Sequence, residues 1–154
     1  MGFRTPSRLR VASLIYTRGK ALFSGSTAWD STEHGFGIML ATSEYQPHKS
    51  HRFTSEVEHE LTGTGYKRKE LSGRLVESDD DNGRADCIAD SVSYRGLSTK
   101  QSYQWAIVYK IGKTDDDGQL VCAIDMGEVS LKGIAKHTLE WDGKTDRGRV
   151  FSLV

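Results

Sequence analysis

Two kinds of cluster in this sequence contain residue types that bind metal ions. His48, His51 and His59 are close along the chain, and imidazole is a common zinc ligand. They fall in a polar segment, residues 44–60, which we predict to be a loop without a rigid element to fix ligand geometry. Residues 79–83 (Asp-Asp-Asp-Asn-Gly) and 115–118 (Asp-Asp-Asp-Gly) offer calcium ligands, but both lack the glycine and glutamate spacing of an EF-hand loop. We therefore predict exposed loop histidines, two hairpin turns and no bound metal.

Patterns typical of catalysis are weaker still. The Gly-Thr-Gly at residues 63–65 lacks the third glycine, the preceding apolar strand and the following helix of a dinucleotide site. Neither a Gly-x-Ser-x-Gly motif nor a distinctive carboxylate pair is present. Trp29, Trp105 and Trp141 could form a sugar-binding platform, but the alternating apolar context of the last two favours core packing. We expect a protein that is not an enzyme and that uses no cofactor.

The two cysteines, Cys87 and Cys122, both fall in predicted strands. This placement indicates small, buried, reduced side chains in a protein that folds in the cytosol. A disulfide between them stays possible at this point, because only the distance between them could exclude it.

Short β-type runs bounded by turn residues must position all of these side chains. Residues 104–111 carry apolar groups on both faces, which predicts a central strand, and a polar loop joins them to residues 120–126 as a hairpin. Residues 92–94 extend the run at 85–89, and the runs number about seven or eight in all. They are residues 36–41, 64–76, 85–89, 104–111, 120–126, 137–141 and 149–154. The pattern predicts an all-β fold, an antiparallel β-sandwich of the jelly-roll or immunoglobulin-like type.

One short helix is predicted before these strands. Leu14, Ile15, Leu22 and Phe23 could share one side of a helix that ends near Gly25, although an internal glycine lowers the helix propensity. We expect this helix to pack on a sheet within a single domain over residues 14–154.

Length, composition and charge exclude several classes of protein. The 154 residues suit one domain, and no run approaches the ~18 apolar residues of a membrane span. With 21 basic and 21 acidic residues, the formal net charge is zero, which argues against a nucleic-acid partner. Two cysteines are too few for a secreted disulfide scaffold.

The balanced charge hides an uneven distribution. Residues 1–29 contain five basic residues and no acid, so they carry +5 and residues 30–154 carry −5. We interpret residues 1–13 as a basic N-terminal arm that could lie on an acidic neighbouring surface. A secretory signal is an alternative, although Arg18 interrupts its short apolar run, and a segment without fixed structure is the other.

The order of several strand segments resembles a family of small structural proteins of tailed bacteriophages. The likeness begins near residues 15–20 and includes residues 63–66, 89–94, 106–110, 123–127, 139–142 and 150–153. It covers nearly all the chain after the first dozen residues. The basic extension is longer than the family pattern, and Tyr94 stands where a tryptophan is expected.

The resemblance implies a capsid decoration or cement protein of the virion surface, made in the host cytoplasm. Its partners would be the major capsid protein and neighbouring copies of itself, with no membrane involved. Arg4, Arg8 and Arg10 would be the contacts of the arm, because guanidinium groups pair well with carboxylates. A head–tail connector or tail accessory protein is one alternative. A carbohydrate-binding β-sandwich for the host surface is another, and exposed tryptophan or tyrosine on one sheet face would favour it.

Overall fold

A computed structural model describes residues 14–154, which form one short helix, a 3-10 turn and ten strands. The helix is α1 (Thr17–Ser24), and the 3-10 turn covers Thr54–Glu56. The strands are β1 (Leu14–Ile15), β2 (Phe36–Ala41), β3 (Lys69–Glu70), β4 (Leu75–Asp79), β5 (Arg84–Asp90), β6 (Val92–Arg95), β7 (Ser102–Lys110), β8 (Gln119–Ser130), β9 (Lys136–Leu139) and β10 (Arg147–Leu153).

The strands form two packed layers, and every pairing between them is antiparallel. One layer has the order β1-β8-β7-β2-β3. The other combines a β10-β5-β4 sheet with a β6-β9 pair, because only Ser91 separates β5 from β6. β5 pairs with β10 and β6 pairs with β9. Residues 140–146 form the loop that joins β9 to β10. The predicted all-β sandwich is therefore confirmed.

The main core fills the space between the layers. Phe36 on β2 and Phe151 on β10 both contact Trp29, whose ring centroid lies 4.8 Å and 5.2 Å from theirs. The Trp29 indole N–H donates to the carbonyl of Ile88 on β5 at 2.8 Å, so this buried ring also keeps its polar atom bonded. Aromatic packing thus ties the chain before β2 to both layers.

A second, smaller core covers the outer face of the five-stranded sheet. Ile107 and Tyr109 of β7 point to this face and pack with Met39, while Tyr16 and Tyr45 cover them from outside. Because Ala106 and Val108 face the main core, both faces of β7 are buried. The prediction of a central strand at this position is confirmed.

The predicted helix over residues 14–23 is partly wrong. Leu14 and Ile15 form β1, which pairs with Ala123 and Cys122 of β8, and the helix starts only at Thr17. Edge pairing satisfies the backbone groups of these two residues, which the apolar periodicity alone could not indicate. The predicted end is correct, because Gly25 is the C-cap of α1.

The predicted strand over residues 64–76 is also wrong as a single element. Thr64 forms only an isolated bridge with Ser98, and β3 and β4 are separate strands in different sheets. Gly73, with φ 63°, bends the chain between them. The two acidic turns agree with the prediction, since residues 80–83 connect β4 to β5 and residues 111–118 connect β7 to β8.

Candidate interaction surface

The predicted arm contacts Arg4, Arg8 and Arg10 lie outside the described residues, and so does the whole of the predicted arm, residues 1–13. The point at which the arm joins the domain is described. β1 runs antiparallel to β8, with Leu14 opposite Ala123 and Ile15 opposite Cys122. The next backbone bond runs from the Tyr16 N–H to the Val121 carbonyl at 3.0 Å. From Ile15 to Leu14, β1 therefore runs toward the part of β8 that continues to Ser130.

This continuing part of β8 is a distorted sheet edge. Val129 pairs with Tyr103 while Asp125 pairs with Trp105, so three β8 residues stand opposite Gln104 alone. Gly127 has φ 71° within this bulge, and its N–H donates to the Asp125 carboxylate at 2.9 Å. Within residues 14–154, no strand pairs with β8 beyond Met126 on the side away from β7. A bulge at an edge of this kind limits further strand addition.

A groove of about 250 Å³ lies between this end of β8 and β9. Met126 and Val129 form one wall, and His137, Leu139 and Trp141 form the other. The Tyr103 hydroxyl and His137 Nε2 are 2.7 Å apart at its base. Burial lowers the pKa of His137, because a charged imidazole loses hydration there. The groove therefore combines apolar walls and the Tyr103–His137 pair with the polar residues Thr138, Glu140 and Asp142.

The loop between β9 and β10 forms the rim of this groove and of a second cleft behind it. Asp142 holds a φ of 51° and leaves its Oδ1 buried without a hydrogen bond, while its Oδ2 lies 3.5 Å from Arg149 Nη2. Arg149 also lies 3.7 Å from Asp86, which pairs with Arg84 at 2.9 Å. Cations and carboxylates alternate across this cleft of about 390 Å³, so we interpret it as the anchor of the loop.

A third polar cluster joins distant loops and was missed in the sequence. Arg68 donates through Nε and Nη2 to the two carboxylate oxygens of Glu60 at 2.9 and 2.8 Å. It also donates to the carbonyl of Asp115 at 2.6 Å, and Tyr66 donates to Glu60 at 2.6 Å. Hydrogen bonding to Glu60 raises the pKa of Arg68. Because Glu60 and Asp115 are far apart along the chain, no local pattern could reveal this link.

The candidate metal ligands are not assembled in the described residues. No group of three or more histidine, cysteine or acidic side chains there could hold a metal ion. His51 Nδ1 instead lies 3.0 Å from the Tyr45 hydroxyl, and His48 Nδ1 lies 2.7 Å from the Ser50 hydroxyl.

The aromatic residues and cysteines lie mostly in the interior. Trp29 and Trp141 are only 2% and 1% exposed, and Trp105 is partly buried, so core packing is confirmed. All six tyrosines lie in the described part of the chain, and none is exposed. Both cysteines are free and buried, as predicted, and burial raises the pKa of Cys87 to about 12.

Comparison with known proteins found no relative of this chain. No protein-family model, no curated protein and no solved structure matches the chain. Among the described residues, no helix has the length and apolar character to cross a membrane.

Proposed function

We propose that this protein is a structural component of a tailed-bacteriophage virion, a decoration protein that binds the major capsid protein and stabilises the shell. The proposal starts from the resemblance in the order of the strand segments. The β-sandwich agrees with the fold that the resemblance implies.

The observation that supports this role best is the place where the basic segment joins the domain. It enters at β1, on the rim of the sandwich, beside a bulged edge of β8 that has no further strand within residues 14–154. A charged segment attached at a rim can extend over a neighbouring surface while both layers stay intact. We therefore assign the partner contacts to Arg4, Arg8 and Arg10, and acidic groups of the shell or of a neighbouring copy to the other side.

Charge and repetition explain how such contacts would hold. The segment before Asp30 carries +5 and the remainder carries −5, so opposite charges can meet between copies. Each arginine–carboxylate pair contributes little when exposed, about 0–1 kcal/mol. When many copies bind one closed lattice, avidity raises the overall binding strength although each contact is weak.

The test is retention on particles across a salt series. The variant R4Q/R8Q/R10Q removes three charges and keeps the length of the arm. The control K100Q/K113Q/K132Q removes the same charge from exposed lysines of the domain. We expect the arm variant to dissociate at lower salt than the control and the parent protein. Equal retention of all three proteins at every salt concentration would remove the arm from the mechanism.

Two other functions give different outcomes in related assays. A head–tail accessory protein would be present in few copies per particle, whereas a decoration protein would cover the shell, so densitometry of purified virions separates them. The carbohydrate-binding function was expected to show exposed tryptophan or tyrosine, and none of these residues is exposed. Binding of the isolated protein to a glycan array would nevertheless support it over the decoration function.

A further inference from the structure

A small cavity lies where the start of α1 meets the loop before the 3-10 turn. Its volume is about 260 Å³, below the about 300–1,000 Å³ of most pockets for organic ligands. The lining consists of Thr17, Arg18, Ala21, Ser50 and Arg52. Two of these residues are arginines, two carry hydroxyls, and none is acidic.

The two arginines of this cavity lack the partners that other arginines of the domain have. Arg68 and Arg84 each form short ion pairs with carboxylates, at 2.8 and 2.9 Å. Within residues 14–154, neither Arg18 nor Arg52 forms an ion pair. The Nε of Arg18 is buried and makes no hydrogen bond. A buried donor of this kind costs free energy unless an acceptor reaches it.

The backbone holds the two sides of the cavity together. The Thr17 N–H donates to the Lys49 carbonyl at 2.9 Å, which fixes the start of α1 against the loop. The nearby Glu56 carboxylate accepts the backbone N–H groups of Arg52 and Phe53 at 2.7 and 3.0 Å. Glu56 therefore caps its own turn and forms no direct ion pair with Arg52, although the nearby Arg52 charge helps its backbone hydrogen bonds to lower the pKa of Glu56.

We propose that this cavity binds a phosphate-type oxyanion. Two guanidinium groups offer several charge-assisted hydrogen bonds, and the Thr17 hydroxyl adds an uncharged donor. The Ser50 hydroxyl is already paired with His48 Nδ1 at 2.7 Å. A tetrahedral oxyanion directs its oxygens toward both arginines and Thr17 at once, whereas the two oxygens of a carboxylate lie in one plane. The positive end of α1 adds a smaller attraction for an anion.

The experiment is an amide-resolved NMR titration of the intact protein with inorganic phosphate, with chloride added to keep the ionic strength constant. We expect saturable shifts confined to residues 17–21 and 49–53. Arg52→Gln changes an exposed side chain and should weaken binding at least about tenfold, since a charged hydrogen bond contributes about 1.5–3 kcal/mol. Arg18→Gln should have a similar effect. Arg147→Gln is the control, because that side chain is 58% exposed and lies on β10.

Several outcomes would overturn the assignment. Shifts that do not saturate, or that Arg147→Gln weakens as much as Arg52→Gln, would show a diffuse charge effect. A parallel titration with acetate that binds as tightly as phosphate would make the cavity a carboxylate site. The spectrum of each variant without ligand reports whether the fold is intact. The measurement needs no particles, so it can fail or succeed independently of the decoration function.

Discussion

Gly19 lies at the closest approach between α1 and β8, and its replacement by alanine tests how the helix is attached. A Cβ at this position would lie 2.4 Å from the Val121 carbonyl oxygen and 2.9 Å from its Cα. Ordinary contacts begin near 3.4 Å, so the helix or the strand would have to move by about 1 Å. Both obstacles are backbone atoms, which cannot rotate away as a side chain can.

Two effects of opposite sign decide the magnitude. Alanine favours a helix over glycine by about 1 kcal/mol. Overpacking against a rigid neighbour costs about 1–3 kcal/mol, and a backbone obstacle places this site at the upper end. We therefore expect Gly19→Ala to lower the free energy of unfolding by about 1–2 kcal/mol. For a domain of this size the melting temperature should fall by about 2–8 °C.

The matched control is Gly25→Ala at the other end of the same helix. A Cβ there would lie 3.6 Å and 3.7 Å from its nearest neighbours, the carbonyl oxygens of Ala21 and Leu22. Urea unfolding followed by tryptophan fluorescence and circular dichroism measures both variants. If Gly19→Ala is as stable as the parent protein or more stable, α1 is not packed on β8 at this distance.

Two further predictions concern polar groups. Arg68→Met should lower stability by about 2–3 kcal/mol in urea unfolding, because it leaves the partly buried Glu60 carboxylate without its bidentate partner. Arg68→Lys should lose less stability than Arg68→Met but still be less stable than the parent protein. Parent-like stability of Arg68→Lys would contradict the bidentate geometry. The pKa of His137 is lowered from 6.5, so the unfolded chain takes up a proton first as the pH falls. Stability should therefore decrease from pH 7 toward pH 5, and His137→Gln should remove that part of the pH dependence.

The sequence predicts best the elements whose burial is uniform along the chain. The double-faced apolar pattern of residues 104–111 identified β7 as central, because a strand covered on both faces has no polar side. The Asn-Gly turn also followed from local backbone preferences, because Gly83 has φ 63°. In both cases the decisive interaction lies within a few residues of the pattern that predicts it.

The same local view indicated only the cost of Gly19 in helix propensity and missed its role in packing. Its role depends on Val121, about a hundred residues later in the chain, and only the fold brings the two backbones together. The error at residues 64–76 has a similar cause. Gly73 starts a turn that separates two strands in different sheets, while the side-chain pattern continues across it.

The polar clusters show why a functional site was hardest to predict. The Arg68–Glu60 pair and the Arg18–Arg52 cavity differ in one respect that composition cannot show. Arg68 forms an ion pair with Glu60, whereas Arg18 and Arg52 form none within residues 14–154. A formal net charge of zero counts all four residues in the same way. Arg18 belongs to the same basic stretch as Arg4, Arg8 and Arg10, and α1 packs against β8, beside the point where that stretch joins the domain. The cavity therefore lies close to the point where the described domain begins. The cavity and the arm need separate tests, because a salt-sensitive arm requires only charge, whereas the cavity requires the two arginines in one geometry.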